Sequence, residues 1–190
     1  MSETPSSSVI SSIQMVLNEA DCLYTHEQVL SVIEEMANKI NSDLAKSNPI
    51  LMVVMNGGLV FAGHLVSRLN FPLEIDYLHA SRYGNNYQGE TLNWHSQPSL
   101  SLQNRCVLLI DDILDEGKTL IELIEYCKAK GASDVRTAVL TEKKHNRKAD
   151  PTLQANYCGL SLEDRFVFGF GMDYKGYWRN AQGIFAVKGL

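Results

Sequence analysis

Apolar residues run without a break from Ile50 to Met55 and again over residues 107–110. Unbroken apolar runs of this length, rich in β-branched side chains, suit strands buried on both faces. Elsewhere the spacing changes. Val29, Ile33, Met36, Ala37, Ile40 and Leu44 fall on one stripe of a helix. Thr25-His26-Glu27-Gln28 reads as a capping box at its start, and Pro49 stops any continuation. Leu59, Phe61, Ala62, Leu65, Val66 and Leu69 predict a second helix. Leu120, Leu123, Ile124 and Cys127 predict a third, with Gly131 as its C-cap. Residues 73–78, 135–140, 166–170 and 184–187 read as further strands. Strand and helix alternate, and there is no internal repeat. The pattern predicts one α/β domain over residues 1–190, a mostly parallel twisted sheet flanked by helices. The Ser/Pro-rich residues 1–8 are expected to fray.

Residues 81–98, SRYGNNYQGETLNWHSQP, break the pattern. A polar loop this long inside a compact domain points to a task such as covering an active site, or to an antiparallel hairpin within it.

Composition narrows the classes. The chain has 190 residues and a formal net charge of -5, with no stripe of Lys and Arg. Neither a nucleic acid nor an anionic membrane is indicated as a partner. Cys22, Cys106, Cys127 and Cys158 lie far apart, as reduced thiols of a cytoplasmic protein would. The N-terminus lacks the pattern of a secretory signal, and no apolar run is long enough for a membrane span.

The chemistry concentrates in residues 107–120, VLLIDDILDEGKTL. In an open parallel sheet, ligands bind beyond the carboxyl ends of the strands. Asp111, Asp112 and Asp115 sit at such an end. Glu116-Gly117-Lys118-Thr119 then opens a helix, whose first amides suit a phosphate, and Gly117 lets the backbone come close. The spacing is not that of a nucleoside-triphosphate P-loop. Acids and phosphate site are compatible if they hold different parts of one ligand. The phosphate of a ribose 5-phosphate takes the amides and the Thr119 hydroxyl, and its ring hydroxyls donate to Asp111 and Asp112. A bridging Mg²⁺ also suits such oxygen ligands. An Asp pair after a strand is by itself most often a helix cap and a solvated acid. The agreement of strand, acids, glycine and helix is what points to a ligand.

This stretch resembles the phosphoribosyl-pyrophosphate (PRPP) signature of the type I phosphoribosyltransferases. Over nearly the whole chain after Thr25 it is similar to the branch that acts on hypoxanthine and guanine. The resemblance implies the type I fold, with a small hood built from the chain ends and a mobile lid loop. It implies transfer of the phosphoribosyl group from PRPP to a 6-oxopurine, giving IMP or GMP and pyrophosphate in purine salvage, with Mg²⁺ and a homodimer or homotetramer. Asp111, Asp112, Asp115, Glu116, Gly117, Lys118 and Thr119 would hold the ribose and its phosphate. Asn56, Gly57 and Arg179 would meet pyrophosphate. Lys143, Phe166, Val167 and Asp173 would meet the purine: Lys143 reading O6, Phe166 stacking, Val167 offering backbone groups. Asp111, Asp112 and Asp173 would lie at the metal. Asp115 would take the proton of purine N7, and Tyr83 would belong to the lid that excludes water.

Three positions depart from the family pattern. Asn56 stands where a basic residue is common, Arg82 where serine is, and Glu116 where Ser or Thr is. A glutamate facing a phosphate would be repelled, so Glu116 is expected to point outward. Two other readings stay open: a xanthine-preferring enzyme, and a non-catalytic regulator that senses PRPP.

Overall fold

The computed structural model describes residues 7–82 and 92–189. In chain order the elements are α1 (Ser7–Glu19), β1 (Asp21–Thr25), α2 (His26–Leu44), β2 (Ile50–Met55), α3 (Gly58–Val66), β3 (Glu74–Arg82) and β4 (Leu92–Ser96). They continue with β5 (Cys106–Leu114), α4 (Lys118–Ala129), β6 (Asp134–Lys144), β7 (Tyr157–Glu163), β8 (Val167–Phe168) and β9 (Gly183–Ala186).

Six strands form the main sheet in the order β4-β3-β2-β5-β6-β7. All neighbours are parallel except β3 and β4, which run antiparallel. The two central strands divide their side chains by period two between two apolar layers. Leu51, Val53, Leu108 and Ile110 face the layer built with α2 and α3. Ile50, Met52, Val54, Val107 and Leu109 face the layer built with α4. Burial on both faces is why these runs are apolar without alternation. A second sheet, β1-β9-β8, is antiparallel and joins residues near both ends of the chain, which is the expected hood.

The helix boundaries follow local chemistry. Thr25 accepts from the Gln28 amide while the Gln28 side chain accepts from the Thr25 amide, closing the capping box. Helix α4 ends as expected at Gly131, which has φ +86. Its amide donates to Lys128 O at 2.9 Å and that of Ala132 to Cys127 O at 3.1 Å, the paired bonds of a Schellman turn.

Four expectations change. Ser7 and Ser8 belong to α1 instead of a frayed end, and α1 itself escaped the hydrophobic pattern. Strand β5 runs on to Leu114, so Asp111 and Asp112 lie within its last turns of pleat. The expected strand over 166–170 shrinks to Val167–Phe168, because Gly169, Phe170 and Gly171 all take positive φ. Strand β7 was not expected. Within it, a Cβ at Gly159 would lie 2.5 Å from Leu140 O and 3.0 Å from side-chain atoms of Met36 and Val32. The Leu140 carbonyl of β6 and the side chains of α2 together leave no room for a side chain there.

The polar stretch 81–98 carries the antiparallel partner: β4 pairs with β3 through Ala80–Trp94 and Ser81–Asn93. Tyr83 and residues 84–91 lie outside the described residues. Among the described residues no helix is long and apolar enough to cross a membrane.

Candidate active site

Strands β2, β5 and β6 are parallel, so their carboxyl ends share one edge of the sheet. That edge gathers Asn56 and Gly57 after β2, Asp111 and Asp112 from β5 with Asp115 just beyond it, and Lys143 from β6. Asn56 is exposed, its peptide bond to Met55 is cis, and its carbonyl accepts from the Leu59 amide as α3 begins. Gly57 is pressed against Asp112: a Cβ there would fall on the carboxylate, 2.5 Å from Cγ. A Cβ on Gly58 would lie 2.5 Å from Ile110 O. The glycine pair thus lets the loop after β2 lie directly on β5.

Asp112 is 8% exposed, and its amide donates to Asp111 Oδ1 at 2.9 Å. Burial, and then the neighbouring Asp112, push the Asp111 carboxyl well above the usual range, with Arg179 pulling the other way. Burial also pushes Asp112 up, against its bond to Asp111 and the Arg179 charge. Two crowded hard-oxygen donors of this kind fit a divalent cation or the hydroxyls of a sugar.

Gly171 closes the site from the opposite segment. A Cβ on Gly171 would lie 3.4 Å from Asp112 Cβ and collide with the Gly57 carbonyl. Arg179 ties this segment together. Its Nη1 donates to Gly171 O at 2.6 Å, its Nη2 pairs with Asp173 Oδ1 at 2.6 Å, and its carbonyl accepts from the Gly171 amide. Asp173 Oδ2 also accepts from the Gly176 amide at 2.7 Å, so both oxygens of Asp173 are engaged within the turn.

A second cluster forms around Asp115. Lys143 Nζ pairs with Oδ2 at 3.0 Å, and His145 Nε2 lies 2.6 Å from Oδ1. Arg147 stands 3.7 Å from Oδ1 and makes a two-pronged pair with Asp164. Burial alone would raise the Asp115 carboxyl; bonds from Lys143 and His145 outweigh it and hold the group below its ordinary range. His145, Arg147 and Asp164 were not singled out from the sequence. The signal at His145 and Arg147 was the charged run 142–148, which reads as a solvated loop, and Asp164 lies outside that run.

Asp115, His145 and Asp164 place three ligand atoms within 4.8 Å of one another and could hold a divalent ion. Lys143 and Arg147 already compensate those carboxylates. Asp111 and Asp112 have only the Arg179 charge set against their burial, and the donor set for Mg²⁺ fits better there.

The loop into α4 behaves as its sequence suggests. Gly117 takes φ +80 and caps α4 with no side-chain bond to the first amides. Its backbone is packed on Leu153, which leaves no room for a Cβ. Glu116 turns to Lys118, 3.0 Å away, with both side chains nearly half exposed. Thr119 lies in the first turn of the helix.

Phe166 is 44% exposed, with Tyr174 edge-on to its ring at 5.7 Å between centroids. Such an open aromatic face suits stacking on a planar base. The Val187 amide donates to Phe166 O while Val167 sits opposite Ala186. That makes Val167–Ala186 a non-hydrogen-bonded pair, so the N–H and C=O of Val167 point away from β9. Asp164, two residues before Phe166, docks this segment on the Asp115 cluster through Arg147.

Residues 19–175 match the family model of the phosphoribosyl transferase domain. The hypoxanthine-guanine phosphoribosyltransferase of Bacillus subtilis is 30% identical over 168 residues, spanning 87% of this chain and 92% of that protein. The one from Staphylococcus epidermidis is 32% identical over 169 residues, with the same shares covered. Among solved structures, a hypoxanthine phosphoribosyltransferase from Staphylococcus aureus superposes with a TM-score of 0.85 at 27% identity, covering 92% of this chain and 95% of that one. A hypoxanthine-guanine-xanthine phosphoribosyltransferase gives 0.82 at 26% identity, covering 90% and 99%.

Proposed function

We propose a reaction and its residues from one premise: this chain belongs to the phosphoribosyltransferase family, in its hypoxanthine-guanine branch. It transfers the 5-phosphoribosyl group of PRPP to a 6-oxopurine, giving IMP or GMP and pyrophosphate. The observation that carries the residue assignments is the pairing of Lys143 with Asp115 at 3.0 Å. On a 6-oxopurine, O6 and N7 lie side by side on one edge. A cationic donor beside a carboxylate matches that edge: Lys143 donates to O6 and Asp115 Oδ2 faces N7.

In the transfer, purine N9 forms a bond to ribose C1 as the bond from C1 to the pyrophosphate oxygen breaks. The sugar passes through an oxocarbenium-like state, as in glycoside chemistry. The N7 proton goes to Asp115. In the free protein Lys143 and His145 hold Asp115 low. When Lys143 turns to O6, that hold weakens and the carboxylate becomes a better proton acceptor. The purine stacks on Phe166, and the backbone groups of Val167 meet its edge. The 5-phosphate takes the free amides from Lys118 onward and the Thr119 hydroxyl, with Gly117 allowing close approach. The ribose hydroxyls donate to Asp111 and Asp112. Asn56 and Gly57 offer backbone groups to pyrophosphate, and the Arg179 fork neutralises the leaving charge. Asp111 and Asp112 would hold Mg²⁺, with Asp173 as a further candidate donor tied to Arg179, and the ion would supply further neutralisation of the pyrophosphate charge.

The test is an absorbance assay with PRPP and Mg²⁺, offering hypoxanthine, guanine, xanthine and adenine one at a time. Turnover of 6-oxopurines without adenine supports the reading, and the xanthine rate separates the two purine specificities. Saturable PRPP binding with no turnover of any base would overturn it in favour of a PRPP sensor.

A further inference from the structure

The Asp115 cluster contains a residue with no place in the reaction above. His145 has a side chain only 3% exposed, which leaves it little surface to offer a substrate. Both of its ring nitrogens are used. Nδ1 lies 3.0 Å from the Arg147 amide nitrogen, which donates to it. Nε2 lies 2.6 Å from Asp115 Oδ1. A nitrogen that accepts an N–H carries no proton of its own, so this pair of bonds assigns the ring proton to Nε2. His145 is therefore a neutral donor pointed at one oxygen of Asp115.

The two oxygens of Asp115 differ accordingly. Oδ1 is bonded to a buried, immobile ring. Oδ2 is bonded to Lys143, a flexible side chain on the next strand. Of these two partners only Lys143 can turn away to a purine. We propose that His145 is the positioning residue of the active site: it clamps Asp115 through Oδ1, so that Oδ2 alone is presented to N7. The clamp extends outward. Arg147, whose amide fixes the ring tautomer, also grips Asp164, and Asp164 leads directly into Phe166. One short network therefore fixes the carboxylate that receives the proton and the strand that stacks the base.

The inference rests on the proposed transfer reaction, and its test separates the two. Wild type, His145→Ala, His145→Gln and Asp115→Asn are assayed with hypoxanthine and PRPP, and thermal unfolding is followed in parallel. His145→Ala is expected to lower kcat about 10–100-fold, the scale of a reacting group held an ångström out of place. The KM for PRPP is expected to stay within about twofold, because the phosphate and ribose sites are not touched. Glutamine keeps an N–H donor near the position of Nε2, and His145→Gln is expected to recover most of the loss. In the Asp115→Asn background, His145→Ala is expected to cost little more, since the clamped group is already disabled.

Equal losses in His145→Ala and His145→Gln, wild-type kcat in His145→Ala, or losses that multiply fully with Asp115→Asn would each overturn the clamp. Nitrogen-15 spectra of the labelled imidazole at neutral pH provide a readout independent of turnover. A proton on Nε2 is expected; a proton on Nδ1 would overturn the assignment even if the enzyme is active. A wild-type protein with no turnover of any 6-oxopurine would overturn the reaction itself, and the clamp with it.

Discussion

Replacing Gly57 by alanine isolates one contact at the centre of the site. Gly57 has φ -60 and ψ -50, a helical conformation that alanine adopts freely. No backbone strain is introduced, and the lost freedom of the unfolded chain should by itself stabilise by about 0.4–1 kcal/mol. The obstacle is Asp112. The new Cβ would sit 2.5 Å from its Cγ, whereas carbon atoms rest at about 3.5–4.0 Å, so something must give by ~1 Å. Overpacking a rigid interior on that scale costs about 1–3 kcal/mol. The net expectation is a loss of ~1–2 kcal/mol. For a chain of this size that is about 2–8 °C in Tm.

The functional loss should be larger. Either the carboxylate or the loop bearing Asn56 must move, and a 1 Å displacement of a binding group costs on the order of 10²-fold in kcat/KM. Gly63→Ala is the control. It lies in the same helix α3, and its Cβ would meet nothing within 4 Å. Helix propensity predicts a gain of ~1 kcal/mol there, with unchanged kinetics. The cause is checked by a double-mutant cycle: in an Asp112→Ala background the obstructing atoms are gone, and Gly57→Ala should lose most of its stability cost. Calorimetry and steady-state kinetics on the four variants suffice. A Gly57→Ala protein with wild-type Tm and kcat/KM, or a cycle with no coupling, would refute the argument.

Other expectations concern the base edge and the fold. Asp115→Asn keeps the shape but cannot take a proton, so turnover should fall about 10²–10⁴-fold with the KM for PRPP little changed; unchanged turnover would exclude Asp115 as the acceptor. Lys143→Gln replaces a fixed donor by an amide that can also accept, so hypoxanthine kcat/KM should drop about 100-fold while adenine discrimination weakens, as competition between the two bases would reveal. Asp76 is 7% exposed and accepts from the amides of Ser99, Leu100 and Tyr77 and from the Ser99 hydroxyl. Burial raises its carboxyl, but the Leu100, Tyr77 and Ser99 amides bring it below the ordinary range. A depressed folded value stabilises above the unfolded pKa of about 3.9 and is lost as pH falls through the folded value. Asp76→Asn should therefore cost about 2–4 kcal/mol at neutral pH and flatten that part of the acid limb in denaturant titrations. An equally stable variant would show that those bonds contribute nothing net.

The parts of the fold that were legible in the sequence are those in which a single local signal decides. The runs in β2 and β5 are apolar because both faces are covered, and the Thr25 box and the Gly131 turn each close within a few residues. Where a glycine is demanded by a distant neighbour, the local reading fails. Gly159 in β7 is explained only by the Leu140 carbonyl of β6 and the α2 side chains that crowd it. Similarly, the aromatic run 166–170 has the composition of a longer strand than it forms. The close approach of Gly171 to Gly57 and Asp112 requires a positive φ instead. That contact joins residues 57, 112 and 171, and no periodicity within a window of fifteen residues can carry it.

The same distinction separates the two halves of the site. Asp111, Asp112, Gly117 and Thr119 lie within one strand-turn-helix unit, and their chemistry can be inferred from spacing. The Asp115 cluster is assembled differently. Asp115 comes from the end of β5, Lys143 from β6, His145 and Arg147 from the segment after it, and Asp164 from the far side of β7. Each is an ordinary charged or polar residue in its own neighbourhood. Only the parallel register that sets Leu114 beside Glu142, and Lys144 beside Glu163, brings them to one edge. A buried imidazole bonded at both nitrogens has no sequence signature, since one of its partners is a backbone amide and the other lies thirty residues away. The proposed sugar-phosphate site was thus legible in the sequence, because its residues lie within one local element. The surroundings of Asp115, the proposed proton acceptor, depend on the order of strands in the sheet.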